Sequence, residues 1–336
     1  MTADRSTEIL PTHTAALFAA AVQRAVALLR AGEVVALPTE TVYGLAANAL
    51  DPAAVARIYA IKGRPAHNPI ICHVASQALA QRSVAAWPAL ADKLARAFWP
   101  GPLTLVLPRA KVIPDMVTAG GATVGVRWPS HPFMSAVIAA CDFPLAAPSA
   151  NLSNQLSPTN AEHVRRQLGG RIRLIVDGGQ AQVGIESTVV DLSVDPPRLL
   201  RPGMIHEAAL LAVTGTLAAG ATAGILRSPG LLKKHYSPRA KLLVLSWRDD
   251  ADLLGQLSRL KVTPTETCVI AHSTLPGAAD FLRVSVVPHD AEAYARALYA
   301  ALHECDDAGA RWIIAEALPD EPAWRPIADR LARAAA

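Results

Sequence analysis

The chain has 336 residues, 51% of them hydrophobic, which is enough apolar material for two cores, and a formal net charge of +4. Its mean hydropathy is positive, yet no apolar run reaches the ~18 to 20 residues that a membrane span needs. The opening MTADRSTEILPTHT lacks the basic-then-apolar order of a secretion signal, so a cytoplasmic location is expected. Cys72, Cys141, Cys268 and Cys305 are scattered with no CxxC pair, which argues against a zinc site and a disulfide framework and leaves them as small buried hydrophobes.

The charge is unevenly spread. Residues 1–210 hold 18 basic and 14 acidic side chains, 211–240 hold four basic and none acidic, and 241–336 hold ten basic and 14 acidic. The basic excess therefore suits an anionic ligand in the first two segments and makes the tail a poor nucleic-acid reader.

In chain order, Thr14 to Ala31 has helical apolar periodicity and is closed by Gly32. Val34 to Leu37 reads as a short buried strand stopped by Pro38. Thr39, Glu40, Thr41, Tyr43 and Gly44 form a polar turn at that strand's C-terminal end, where open α/β sheets bind ligands. Asp51-Pro52 starts a helix that carries Val55, Ile58 and Ile61 inward and runs out at Lys62-Gly63-Arg64-Pro65. Two cations on that turn suggest an anion site, or simply a solvated helix end where cations suit the dipole. Asn68-Pro69 leads into an apolar strand, Ile70 to Val74, bearing His73, whose usual fate there is a core histidine satisfied by backbone.

Leu90 to Trp99 reads as a helix ended by Pro100-Gly101-Pro102, and Leu103 to Leu107 as a buried strand. A flexible turn at Thr118 to Gly121 precedes a strand from Thr123 to Arg127. Arg127 either pairs with a surface carboxylate or uses its planar fork to hold a substrate carboxylate. His131-Pro132 opens a helix, Pro144 to Ala147 is a short strand, and Pro148-Ser149-Ala150-Asn151 is its terminal turn. Thr159 with Glu162 forms a capping box for a helix through Leu168. Strands follow at Arg173 to Val176, Ser187 to Leu192 and Arg198 to Arg201.

Val213 to Gly224 lacks periodicity and reads as a linker, after which Ser228 to Pro238 resumes as a compact motif with His235-Tyr236 between prolines. The tail alternates strand and helix: Leu242 to Leu245, Asp252 to Leu260, Cys268 to Ala271, Ala291 to Asp306, Trp312 to Ala315 and Ile327 to Ala334. Neither GxGxxG nor GxxxxGK[ST] occurs, so any ATP site is not a P-loop.

The motifs PTETVYGL, KGRP, NPIICHV, APSAN and SPT, in that order, closely resemble the YrdC-like family, and more narrowly its two-domain threonylcarbamoyl-AMP synthases. The resemblance runs from about Val22 to Arg201 and extends to KHYSP at Lys234 to Pro238; the last third matches only loosely. It implies an α/β fold, a YrdC-like twisted open sheet with helices in residues 1–212. A linker with a lid-like segment in 213–239 and a smaller Rossmann-like α/β domain in 240–336 would follow. It also implies ATP-dependent synthesis of L-threonylcarbamoyl-AMP from L-threonine, bicarbonate or CO2 and ATP, with magnesium arriving on the ATP. The product would pass to a separate transferase that modifies adenosine in tRNA.

By the same resemblance, Thr41, His73, Arg127, the Ala147 backbone and Ser187 would bind threonine. Lys62, Arg64, Asn68, Thr123, Ser149, Asn151, Ser157, Arg201 and Tyr236 would surround ATP, with Lys62, Arg64, Ser149 and Asn151 at the chemistry. Tyr236 would belong to a lid over the site, or alternatively pack as a plain tether against the second domain. Two other functions compete. A hydrogenase-maturation type of carbamoyl transferase shares a YrdC-like module but adds an acylphosphatase-like region and zinc fingers, and no such pattern occurs here. A non-catalytic RNA-binding module would show steep salt dependence without ATP turnover.

Overall fold

A computed structural model of the chain describes residues 6–218, 236–277 and 281–336. They form two compact units. The first comprises Met1–Ser153, Ser157–Gln182 and Glu186–Leu231, and the second Asn154–Leu156, Val183–Ile185 and Leu232–Ala336.

The first unit opens with β1 (Glu8–Pro11), α1 (Ala15–Arg30), β2 (Val35–Leu37), β3 (Gly44–Asn48), α2 (Pro52–Lys62) and β4 (Cys72–His73). It continues with α3 (Gln77–Ser83), α4 (Ala89–Phe98), β5 (Leu103–Pro108), a single turn α5 (Asp115–Thr118), β6 (Thr123–Arg127) and α6 (Pro132–Cys141). Then come β7 (Leu145–Ala146), α7 (Ala161–Leu168), β8 (Leu174–Asp177), β9 (Thr188–Asp191), β10 (Arg198–Arg201) and α8 (Glu207–Thr214). The strands make one mixed sheet in the order β1-β8-β2-β3-β7-β4-β6-β5-β9-β10.

Alternation along these strands builds two cores, one on each face. Ala36, Leu45, Ala47, Cys72, Val126 and Ile175 join one with Ile58 of α2, Leu94 of α4 and Val164 of α7. Val35, Leu37, Ala46, Leu174 and Val176 join the other with Leu29 of α1, Leu79 of α3 and Phe133 of α6. Helices thus cover both faces, which is why the strands read as continuous apolar runs.

Local signals place the helix ends. Thr14 caps α1 by accepting from Leu17 N, Asp51 caps α2 by accepting from Ala53 N, and Gly63 closes α2 at φ +62°. His131 caps α6 with its ring, Nδ1 accepting from Phe133 N. The capping box expected at Thr159 is shifted by one residue. Asn160 is the cap and accepts from His163 N, while Glu162 turns outward to Arg165 and Arg166. Asn competes at least as well as Thr for this position, and two neighbouring arginines out-compete a reach back to the backbone.

Among the strands and helices, β1, β3, α3, α5, α8 and, in the second unit, β13 (Arg283–Val286) escape the sequence reading. β3 is Gly-Leu-Ala-Ala-Asn, which lacks the β-branched residues that signal a strand. At Gly44 the packing is tight, because a Cβ there would sit 3.3 Å from the Ala147 Cβ. The flexible turn at Thr118 to Gly121 is preceded by α5, and the linker expected from Val213 begins inside α8. Residues 219–235, with most of the lid-like segment, lie outside the described residues.

The second unit has β11 (Lys241–Leu245), α9 (Asp250–Leu260), β12 (Thr267–Ala271), β13, α10 (Ala291–Asp307), β14 (Trp312–Glu316) and α11 (Arg325–Ala334). Its sheet is wholly parallel, ordered β11-β14-β12-β13. At its C-terminal edge Glu316 accepts from the backbone N–H groups of His272, Ser273 and Thr274. Burial pushes this carboxyl up, but the three donors outweigh it and hold it below its usual value. No helix among the described residues is long and apolar enough to cross a membrane.

The capping assignment is testable. Asn160→Ala should cost about 1 kcal/mol in chemical denaturation, with urea midpoints as the readout. An unchanged midpoint would return the cap to Thr159.

Candidate active site in the N-terminal unit

The polar turn after β2 is organised by Thr39. Its hydroxyl donates to Val42 O at 2.6 Å and accepts from the backbone N–H of Thr41 and Val42. The turn is stitched to the 147–151 loop, with Leu45 N donating to Pro148 O and Ala150 N to Tyr43 O, and Tyr43 N donates to Pro158 O further along. Two loops far apart in sequence become one wall.

Four cations line this region with almost no exposure: Lys62 at 3%, Arg64 at 9%, Arg127 at 4% and Arg201 at 3%. Lys62, the last residue of α2, donates through Nζ to the carbonyl oxygens of Ser149 and Asn151 and to Asn151 Oδ1 at 3.2 Å. All three ammonium donors are thereby used. Burial, followed by the Arg64 charge, pushes the Lys62 pKa well below its usual value, while the three acceptors favour the charged form. Arg64, just past the Gly63 turn, donates from Nε to Asn68 O at 3.0 Å and from Nη2 to Pro69 O at 2.7 Å. Asn68 Oδ1 is buried with no hydrogen-bond partner.

A second cluster forms where β4 and β6 run parallel, with His73 opposite Arg127 in register. Arg127 Nη1 donates to Thr41 Oγ1 at 3.0 Å. Its Nη2 lies 2.7 Å from Glu40 Oε1, but out of line for a hydrogen bond, so Nη2 and both Glu40 oxygens are left without one. His73 Nδ1 is likewise buried and unpaired. Burial, reinforced by the Arg127 charge, pushes His73 down to about 3, so the ring is neutral. Ala147, whose N–H donates to Ile71 O, borders the same place.

A third cluster joins β9 and β10. Arg201 donates from Nε to Ser187 O at 3.0 Å and from Nη2 to Ser187 Oγ at 3.1 Å, and Ser187 Oγ shares a 2.8 Å hydrogen bond with Thr104 Oγ1. Ser157 donates to Glu186 Oε1 at 2.6 Å.

The structure therefore joins Lys62 with Ser149 and Asn151, Arg64 with Asn68, Thr41 with Arg127 and His73, and Ser187 with Arg201. Thr123 stands apart, at the opposite end of β6 from Arg127 and paired with Pro108. Tyr236 lies in the second unit, 1% exposed, its ring 5.8 Å from that of Tyr299 and under the Arg330 guanidinium at 5.8 Å. That is the packing expected of the tether reading. Glu40 and Glu186, to which the sequence reading gave no ligand contact, lie beside Arg127 and Ser157. The only signal for Glu40 was an acidic residue inside a hydroxyl-rich turn.

His73 makes stability pH-dependent in a defined window. Its folded pKa is depressed, so the unfolded chain binds the extra proton. The stabilisation is complete above about 6.5 and is lost as pH falls toward 3, by a few kcal/mol at most. Thermal melts between pH 7 and 4 should show a shallower acid decline for His73→Gln than for the parent chain. Parallel curves would mean that the ring is not buried neutral.

The chain is similar to known proteins along most of its length. A family model described as telomere recombination (Sua5_yciO_yrdC) matches residues 27–203. A second, described as the C-terminal domain of threonylcarbamoyl-AMP synthase, matches residues 203–336. The threonylcarbamoyl-AMP synthase of Pyrococcus abyssi is 39% identical over 318 residues, covering 92% of each chain. That of Bacillus subtilis is 41% identical over 325 residues, covering 94% of this chain and 92% of its own. The solved structure of P. abyssi Sua5 complexed with L-threonine matches with a TM-score of 0.88 at 36% identity, covering 98% of both chains. Two family models that together span residues 27–336, and relatives alike over nine-tenths of their length, lead to one conclusion: the chain belongs to the threonylcarbamoyl-AMP synthase family.

Proposed function

We propose that the N-terminal unit binds L-threonine at the Arg127 cluster and ATP at the Lys62 cluster, and joins them through CO2 into L-threonylcarbamoyl-AMP, with release of pyrophosphate. The observation that carries this reading is the set of buried atoms without hydrogen bonds around Arg127, namely its own Nη2 and His73 Nδ1, beside the Thr41 hydroxyl. Such atoms are costly in an interior unless a ligand completes them. A relative crystallised with L-threonine supports the choice of ligand. The match of residues 203–336 to a synthase domain leaves the carbamoyl-transferase alternative without support.

The chemistry asks for positioning rather than a covalent nucleophile. Threonine's amine takes up CO2 as a carbamate. A carbamate oxygen then attacks the α-phosphate in line, and pyrophosphate leaves. Arg127 grips the threonine carboxylate, with Thr41, His73, Ala147 and Ser187 around it. Arg64, Asn68, Ser149, Asn151, Ser157 and Arg201 surround the nucleotide, with Lys62 holding the 149–151 loop against it. Fixed cations and dipoles stabilise the charge that builds on the phosphoryl oxygens and need not reorganise. The buried, unpartnered Asn68 Oδ1 is a polar atom suited to such a ligand. Magnesium would ride on the triphosphate, held largely by phosphate oxygens and water. Thr123 would contact the nucleotide from the far end of β6. The product would feed a transferase that modifies adenosine in tRNA.

Pyrophosphate release should require ATP, L-threonine and bicarbonate together, and should fall to background when any one is omitted. Release without threonine would refute the reading. Arg127→Lys should raise the threonine requirement more than the ATP requirement, because it replaces a planar fork by a point charge. Separate titrations measure this, and an effect confined to ATP would reassign Arg127. Lys62→Ala should lower both melting temperature and synthesis, the latter by roughly 100-fold or more, because removing a buried, fully paired charge typically costs about 3–5 kcal/mol. Near-normal turnover would take Lys62 out of the site.

A further inference from the structure

Glu40 is 6% exposed, and neither of its carboxylate oxygens makes a hydrogen bond. Buried carboxylates ordinarily accept several, because desolvation without compensation is costly. Its carboxylate lies 2.7 Å from Arg127 Nη2, and the contact is misaligned, so the pair has charge proximity without a hydrogen bond from Nη2 or to either Glu40 oxygen. A carboxylate present only to orient Arg127 would be expected to face it squarely.

The atoms left unpaired form a matching set. Arg127 Nη2 is a donor, the two Glu40 oxygens are acceptors, and neutral His73 Nδ1 can donate or accept according to tautomer. A zwitterionic amino acid with a side-chain hydroxyl offers the complement: a carboxylate for Nη2, ammonium protons for Glu40 and a hydroxyl for His73. Charge balance agrees, since a neutral Arg127–Glu40 pair receives a neutral zwitterion.

Resting on the threonine placement proposed above, we infer that Glu40 is the base that removes a proton from threonine's α-ammonium, freeing the nitrogen to take up CO2. An ammonium has no lone pair and cannot add to CO2. One N–H bond breaks, its proton moves to a Glu40 oxygen, and its electron pair stays on nitrogen. That pair attacks the carbon of CO2, and a C=O π pair moves to oxygen. The adduct sheds its second N–H proton to water and becomes the carbamate. Glu40 returns its proton to water before the next cycle. Two features of the site favour the transfer. The substrate carboxylate takes over Arg127, which weakens the cation's hold on Glu40. The shift also replaces two buried charges by two neutral groups, which a desolvated setting favours. The groups facing Glu40 are Arg127 from β6, with neutral His73 beside it on β4, and His131 at the start of α6, whose pKa is lowered by burial against an opposing pull from Glu40. A positive charge on either imidazole is thus not what sets the proton's path.

The test is Glu40→Gln, which keeps the shape and removes the base. At pH 7.5, kcat for threonine-dependent pyrophosphate release should fall by about 10²- to 10⁴-fold, while the calorimetric Kd for threonine changes by less than about tenfold. The deficit should then shrink by about tenfold per pH unit as pH rises. An α-ammonium titrates at about 8 in peptides, somewhat higher in a free amino acid, so solution supplies the free amine that the variant cannot make. Glu40→Asp, still a base, should keep the parent's pH profile at reduced kcat, and covers the case in which the glutamine variant does not fold. A deficit equal at every pH, or one confined to the threonine KM, would overturn the proposal and leave Glu40 as a counter-ion. If neither Glu40→Gln nor Arg127→Lys alters the threonine dependence, threonine does not sit here, and the pocket assignment fails with it.

Discussion

A buried ammonium has to find three oxygens, and the way Lys62 meets that demand ties the catalytic unit together. The cation sits at the end of α2, where Gly63 turns the chain away, and its three donors all go to residues 149–151. Those acceptors are carbonyl and amide dipoles, which satisfy the donors without cancelling the charge. The first-domain site therefore keeps a positive potential while holding a fixed shape. This is the combination that transfer at a triphosphate calls for. The same contact couples the KGRP turn to the PSAN loop, two motifs almost ninety residues apart.

The amino-acid pocket follows a different logic. Burial next to Arg127 forces His73 to be neutral, so the ring offers hydrogen-bonding capacity without adding charge. Glu40 supplies the local counter-charge, and the misaligned contact leaves both partners with capacity to spare. Buried ion pairs contribute little net stability in general, which makes this one easier to understand as part of the site than as a brace. Under the proposed assignment the two clusters divide the work: dipoles around a cation for the nucleotide, and a neutral charge pair for a zwitterion.

The second unit is built by ordinary parallel-sheet rules, and its own interior accounts for Tyr236. That residue sits at φ +62°, with its ring against Tyr299 and Arg330. A tyrosine in the left-handed region is strained, and a buried ring packed on Tyr299 and Arg330 is the kind of context that sustains such a conformation.

Much of this protein was determined by its sequence alone. The Asp51 cap of α2, the glycine that ends it, the strand from Thr123 to Arg127 and the family resemblance carried by KGRP and PSAN all rest on short-range chemistry or on long, ordered motifs. A proline, an N-cap acceptor or a left-handed glycine has one local meaning wherever it occurs. What escaped depended on neighbours distant in the chain. β3 is a strand because it pairs with β2 and β7, and Gly44 there lies close to Ala147, conditions that its composition cannot announce. Asn160 took the cap from Thr159 because Arg165 and Arg166 drew Glu162 outward. Glu40 looked like one polar residue among several in a turn. Only the tertiary structure revealed it as a desolvated carboxylate beside Arg127, because burial and hydrogen-bond alignment are properties of the space around a side chain and not of the side chain itself.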